Sequence, residues 1–202
     1  MTRRAAAGKP RGAGGITTRE LRRDDWPLVE ELFGPRGACG GCWCMLWRSE
    51  HRGKAWDAQL GEPNRLAFRA LLEAGKVHGC LAFDGDRPVG WCSIGPRATF
   101  PKLERSRVLQ TKWDAHTWSI TCFYIKTGYR SRGIGTLLGR EALRVAARHG
   151  AKTVEAYPVI PSDPSKPMPA AFAWTGVPAL FEHLGFEPIP EKEGRPVYRK
   201  GI

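Results

Sequence analysis

Alternating apolar and polar positions predict strands over residues 16–22, 77–83, 88–94, 117–126, 153–159 and 196–200. Helical spacing predicts four further segments. The first follows Asp24 or Asp25 as cap, carries Pro27 in its first turn and ends at Gly34 and Pro35. The second, 64–74, turns Leu66, Leu71 and Leu72 inward. The third, 136–149, has Ile134, Leu137, Leu138, Ala142, Val145 and Ala146 on one face, Arg140, Arg144 and Arg148 on the other, and Gly150 as its stop. The fourth, 178–184, closes at Gly185. Asp84-Gly85-Asp86-Arg87 between two apolar runs is a hairpin signal. The element order is β-α-α-β-β-β-α-β-α-β, an α/β domain with a mixed sheet covered by helices. Three stretches lack a clean period: 35–62, rich in Gly, Trp and Cys and read as a binding wall; a polar connection over 95–116; and a proline-rich loop over 158–169.

Composition narrows the class. A chain of 202 residues suits one domain that buries about two-thirds of its unfolded surface. The formal charge is +12, of which Arg3, Arg4, Lys9 and Arg11 supply four from an Ala/Gly-rich stretch over 1–14. That stretch lacks core-forming residues and is expected to be a disordered leader ahead of a folded domain over 15–202. About +8 remains on the domain, a moderate excess that suits a multiply phosphorylated ligand. No run approaches the roughly 20 apolar residues of a membrane span, and the N-terminus lacks the apolar centre of a secretory signal, so a cytoplasmic protein without membrane partners is expected. Six cysteines are then expected reduced.

The richest local signal is Arg130-Ser131-Arg132-Gly133-Ile134-Gly135, between the fourth strand and the third helix. Glycines at 133 and 135 let backbone approach an anion without an intervening Cβ, and the amides of a starting helix point at it. Arg130 and Arg132 add full charges. A pyrophosphate cradle is the chemistry this pattern suits, although glycines at a strand-to-helix turn also serve as plain tight connections.

This turn after the fourth strand, together with Phe181-Glu182-His183-Leu184-Gly185-Phe186 near the end, resembles the GNAT superfamily of acetyl-CoA-dependent N-acyltransferases over residues 16–200. The motifs that carry it are R-x-x-G-x-G, met by Arg130 to Gly135, and an aromatic-x-x-Leu-Gly-Phe helix end. The resemblance implies a mostly antiparallel sheet and acetyl-CoA as cosubstrate. Its pyrophosphate would lie on the amides of Arg130, Ser131, Arg132, Gly133, Ile134, Gly135 and Thr136, and its pantetheine arm would pair with backbone at Phe123 and Ile125 as an added strand. It also implies direct attack by a primary amine of a small molecule or peptide on the thioester, in a monomer or homodimer, with a backbone amide near 123–125 as oxyanion donor.

The sequence departs from the family where a tyrosine acid often stands, here Phe181, and where an asparagine often stands, near Trp174. Strand periodicity offers a substitute: Glu155 and Tyr157 share one face of the fifth strand, as base and acid, with His116 as a second base. A purely structural role is the competing reading for all three. Cys39, Cys42, Cys44 and His51 have the makings of a zinc site, but Trp43, Met45 and Trp47 make the segment look like an apolar wall, and no metal is expected. Among eight tryptophans, Trp26, Trp91 and Trp118 are expected in the core, while Trp43, Trp47, Trp56 and Trp174 are candidates for an acceptor pocket. Arg97, Lys102, Arg105, Arg107 and Lys112 could grip an acidic partner or the nucleotide phosphates of the cofactor, with a solvated surface as the plainer reading. A catalytically silent acyl-CoA sensor is the first rival function, and a basic nucleic-acid-binding domain ranks last because it lacks interleaved aromatic and basic strand motifs.

Overall fold

The fold, a computed structural model, is described for residues 15–160, 163, 172–190 and 195–202. The leader over 1–14 and most of the proline-rich loop lie outside these residues. The chain runs β1 (Ile16–Glu20), α1 (Trp26–Phe33), α2 (Gly53–Asp57), α3 (Glu62–Glu73), β2 (Gly79–Asp84), β3 (Arg87–Pro96), α4 (Pro101–Glu104), β4 (Thr117–Ile125), α5 (Ile134–Arg148), β5 (Thr153–Ala156), α6 (Pro178–His183), β6 (Glu187–Pro188) and β7 (Tyr198–Gly201). The strands form one sheet in the order β1-β2-β3-β4-β5-β7-β6. Only β4 and β5 run parallel; every other neighbouring pair is antiparallel.

Each face of the sheet has its own core. Ala82, Ile94, Ile120 and Val154 pack against α5 through Ile134, Leu138, Ala142 and Val145. Leu81, Phe83 and Trp91 face α1 and α3 through Val29, Leu32, Phe33, Phe68 and Leu72. Alternate residues of β2 divide between the two, as strand periodicity requires. A third cluster, of Trp47, Phe100, Leu103, Leu109, Tyr157 and Val197, covers the β5 end.

Several expectations shift by a residue or a face. Leu66 is 53% exposed and Phe68 takes the inner face of α3. The connection over 95–116 is not merely polar, because Phe100, Leu103 and Leu109 bury within it. One-turn helices α2 and α4 and the two-residue β6 are too short to leave a period.

Asp25 stands at the N-cap of α1, but its carboxylate makes no cap hydrogen bond. It instead accepts from both terminal nitrogens of Arg19 at 2.5 and 2.8 Å and from the Arg22 N–H at 2.7 Å, tying β1 to α1. Burial raises the Asp25 pKa, yet the Arg19 and Arg22 contacts outweigh it and hold it below the ordinary 3.8. A depressed carboxyl pKa contributes stability above its unfolded value and loses it as pH falls through the folded one. Asp25→Asn should therefore cost about 1–3 kcal/mol at neutral pH. In urea unfolding at stepped pH, the gap between variant and parent should close below about pH 4.

Candidate functional site

The site begins with an irregularity in β4. Its register with β3 passes from Ser93↔Cys122 to Ile94↔Ile120, so Thr121 is an extra residue bulged out of the ladder. A bulge reverses which face the following side chains take. Ile120 therefore lies in the α5 core, whereas Cys122 and Tyr124 turn to the α1 side. The same point ends the pairing with β5, which extends only from Thr117↔Thr153 to Ile120↔Ala156. Beyond it β4 has no β5 partner, and the Phe123 N–H donates instead to Trp174 O at 2.6 Å.

A cavity of about 590 Å³ lies against this part of β4. Ile125, Arg130 and Ser131 line one end, and Cys44, Trp91 and Cys122 the other. The irregular stretch supplies a wall through Ala38, Cys39, Gly40, Cys42, Leu46, Trp56 and Leu60, as its composition suggested. Of the four candidate tryptophans, Trp56 and Trp174 line the cavity, whereas Trp43 packs in the α1 core and Trp47 in the third cluster. Trp91, expected as plain core, also reaches the cavity and donates its indole N–H to Cys44 Sγ at 3.2 Å. Phe33 and Tyr124 line it as well. Neither stands out in the sequence, because only the bulge and the placement of residues 38–46 beside them make a site.

The glycine turn closes the Ile125 end. Gly133 is the N-cap of α5 with φ +76°, a left-handed conformation that a Cβ disfavours. The carbonyl of Gly133 accepts from the Thr136 and Leu137 amides at 3.1 and 3.2 Å. Thr136 N–H, expected among the anion donors, is thus engaged in the helix, while the Ile134 and Gly135 amides precede that first helical bond. A Cβ on Gly135 would meet nothing closer than Leu180 at 3.8 Å, and one on Gly133 nothing within 4 Å. Packing therefore does not demand glycine at either position, and the backbone there is left uncovered by side chains of its own. Arg130 Nε donates to Ile125 O at 3.1 Å, fixing the turn to the strand end, and the Arg132 guanidinium lies 5.0 Å from the Tyr129 ring centroid. The chemistry of the turn suits the diphosphate of coenzyme A: amides at a helix start, the Arg130 and Arg132 guanidiniums, and no carboxylate among the described residues that line the adjoining cavity.

The family model described as acetyltransferase (GNAT) family matches residues 43–170. The chain belongs to this family. Solved structures with the same fold include the paia N-acetyltransferase of Thermoplasma acidophilum in complex with coenzyme A, at 14% identity and TM-score 0.53, covering 93% of this chain and 99% of that one. The yncA protein of Salmonella typhimurium, solved with its cofactor acetyl-CoA, is 15% identical with TM-score 0.52, covering 93% and 94%. The ribosomal-protein-alanine N-acetyltransferase of Brucella melitensis is 19% identical with TM-score 0.52, covering 92% and 99%. No curated protein matches the sequence significantly.

In this GNAT domain the expected acid and bases do not meet in the cavity. Glu155 and Tyr157 do lie side by side, with Tyr157 O–H donating to Glu155 Oε2 at 3.0 Å, but both are fully buried in the β5 end. Glu155 is saturated: Arg97 Nε and the Thr111 hydroxyl also donate to Oε2 at 3.0 Å, and Arg199 Nη2 donates to Oε1 at 2.6 Å. Arg97, expected on the surface, is as buried as its partner and also pairs with Glu104. Burial, then the Glu155 charge, pushes the Tyr157 phenol well up, so it stays protonated. Trp47 packs on Tyr157 and on Trp174, and of these three only Trp174 lines the cavity. His116 is exposed at the opposite end of β4 from the turn, its Nδ1 3.3 Å from Gly150 O.

Phe181, at the usual tyrosine position, is wholly buried against Phe123, Phe186 and Tyr198. The Phe123 N–H, one expected partner of the acyl arm, donates to Trp174 O at 2.6 Å. Among the described residues Cys39, Cys42, Cys44 and His51 do not converge as ligands; the one group of three or more such donors within 4.8 Å lies elsewhere. Burial pushes the Cys42 thiol up to about 11. A hydrogen bond from Cys122, with help from the nearby Arg48 charge and the Trp91 N–H, pulls Cys44 down.

Proposed function

We propose that this protein transfers acetyl from acetyl-CoA to a primary amine with an apolar body. One observation carries the reading: a single cavity is lined by Arg130 and Ser131 of the turn, by Phe123, Tyr124 and Ile125 of β4 beyond its pairing with β5, and by an aromatic and thiol-rich wall. Arg130, Ser131, Arg132, Gly133, Ile134 and Gly135 would hold the diphosphate, and the backbone of Phe123 and Ile125 the pantetheine arm. Bound acetyl-CoA supplies the activated thioester. The Phe123 N–H would serve the developing oxyanion once the arm displaces the Trp174 carbonyl.

The pocket suggests the acceptor. No Asp, Glu or His is among the described lining residues, so nothing there neutralises a polycation. Transfer into such apolar surroundings lowers an ammonium pKa, which helps the acceptor lose its proton to water. Aralkyl amines and amines attached to apolar side chains fit this pocket better than polyamines or aminoglycosides.

Tyr124 is the phenol among the described cavity residues and stands as the acid for the departing thiolate. Tyr124→Phe should lower kcat about 100-fold or more with KM for acetyl-CoA little changed, in a steady-state thiol-release assay. The same assay over aralkyl amines, amino acids, polyamines, aminoglycosides and peptides tests the function. Tight acetyl-CoA binding without CoA release from any amine would favour the silent sensor, the reading that the buried Phe181 supports.

A further inference from the structure

Far from the cavity, where β1, β2 and the end of α5 meet, Glu20, His78 and His149 bring a carboxylate oxygen and two imidazole nitrogens within 4.8 Å of one another. The three arise from separate elements. Glu20 ends β1, His78 immediately precedes β2, and His149 caps the C-terminus of α5. Because α5 has 15 residues, this cluster stands about 20 Å from the glycine turn at its other end.

The side chains are held ready. The His78 and His149 rings meet nearly edge to face with centroids 4.7 Å apart. Trp118 backs both, at 4.8 Å from His78 and stacked 5.6 Å from His149. Arg148 Nη2 binds Glu20 Oε2 at 2.9 Å, which orients the carboxylate and leaves Oε1 toward His149 Nε2 at 2.7 Å. Glu141 shares the Arg148 charge at 3.3 Å, so the guanidinium does not cancel Glu20 alone. Among the described residues neither ring nitrogen of His78 makes a hydrogen bond.

We infer that Glu20, His78 and His149 form a binding site for a zinc-class divalent ion. Two imidazoles and one carboxylate are a donor set suited to zinc and neighbouring first-row ions, not to magnesium or calcium, which favour oxygen. The ion would take Glu20 Oε1 and His149 Nε2 in place of their mutual hydrogen bond, recruit His78, and keep water in its fourth position on the exposed His149 side. Arg148 acts as the outer partner that orients the carboxylate. Such an ion would lock the edge strand β1 to β2 and α5.

The test is calorimetric titration of the tag-free full chain with zinc chloride, paired with thermal unfolding. One equivalent of zinc per chain and a raised Tm are expected. His78→Ala and His149→Ala should each weaken binding by more than about tenfold, the lower end of what loss of even an outer-shell partner costs. Cys39→Ser/Cys42→Ser should bind as the parent does. Circular dichroism checks folding, and His149→Gln replaces His149→Ala if the latter misfolds. Cobalt(II) should give tetrahedral d–d bands without a thiolate charge-transfer band. Absence of saturable binding at micromolar zinc, binding that survives both histidine variants, or a thiolate band would each overturn the assignment. Acetyl-CoA binding is measured in parallel, so failure here leaves the cavity reading untouched.

Discussion

Glu155→Ala should destabilise the protein by about 3–5 kcal/mol, because it strands a fully buried guanidinium, and loss of one partner from a buried pair costs that much. Arg97 would keep only Glu104 as a charged partner, and Tyr157 O–H would keep Ser119 Oγ at 2.7 Å while losing its carboxylate acceptor. Urea unfolding should show the loss with an unchanged m-value, and Tm should fall by roughly 10 °C or more. Glu155→Gln separates the structural role from the catalytic one expected of this residue. Glutamine keeps the shape but not the charge that faces Arg97 and Arg199. A structural Glu155 makes this variant less stable, with turnover per folded molecule intact. A catalytic Glu155 makes it stable and inactive.

The second large effect lies in the cradle. Gly135→Asp should weaken coenzyme A binding by about 100-fold or more, measured calorimetrically, since a carboxylate set against a diphosphate costs several kcal/mol. Leu180 and Ile125 leave a Cβ at 135 in ordinary contact, so the variant should stay folded. Gly133→Ala makes a useful contrast. It adds no charge but forces alanine to φ +76°, at about 1–2 kcal/mol of stability. Unaltered affinity in Gly135→Asp would show that the diphosphate binds somewhere else.

Both variants bear on how much of the site was legible beforehand. The glycine turn was readable because it is contiguous: six residues, two of them glycines, between a strand and a helix. The element order was readable for a similar reason, as in the Asp84-Gly85-Asp86-Arg87 hairpin, where Asp84 pairs with Arg87 across the turn. The Glu155 environment was not. Its partner Arg97 lies 58 residues away in a connection whose composition looked like surface. Periodicity did place Glu155 beside Tyr157, but it cannot say whether that face meets solvent, a cavity or a buried cation.

The sequence by itself determined the longer elements, their order and the glycine turn at the start of α5, since these rest on spacings within a few residues and on the conformations glycine permits. Tertiary structure alone decided the rest. The Thr121 bulge split one strand between two cores, turned Cys122 and Tyr124 into the cavity, and ended the pairing with β5 where the cleft opens. A single inserted residue reverses the face of every side chain after it, and no local pattern announces where it falls, because the partner strand sets the register.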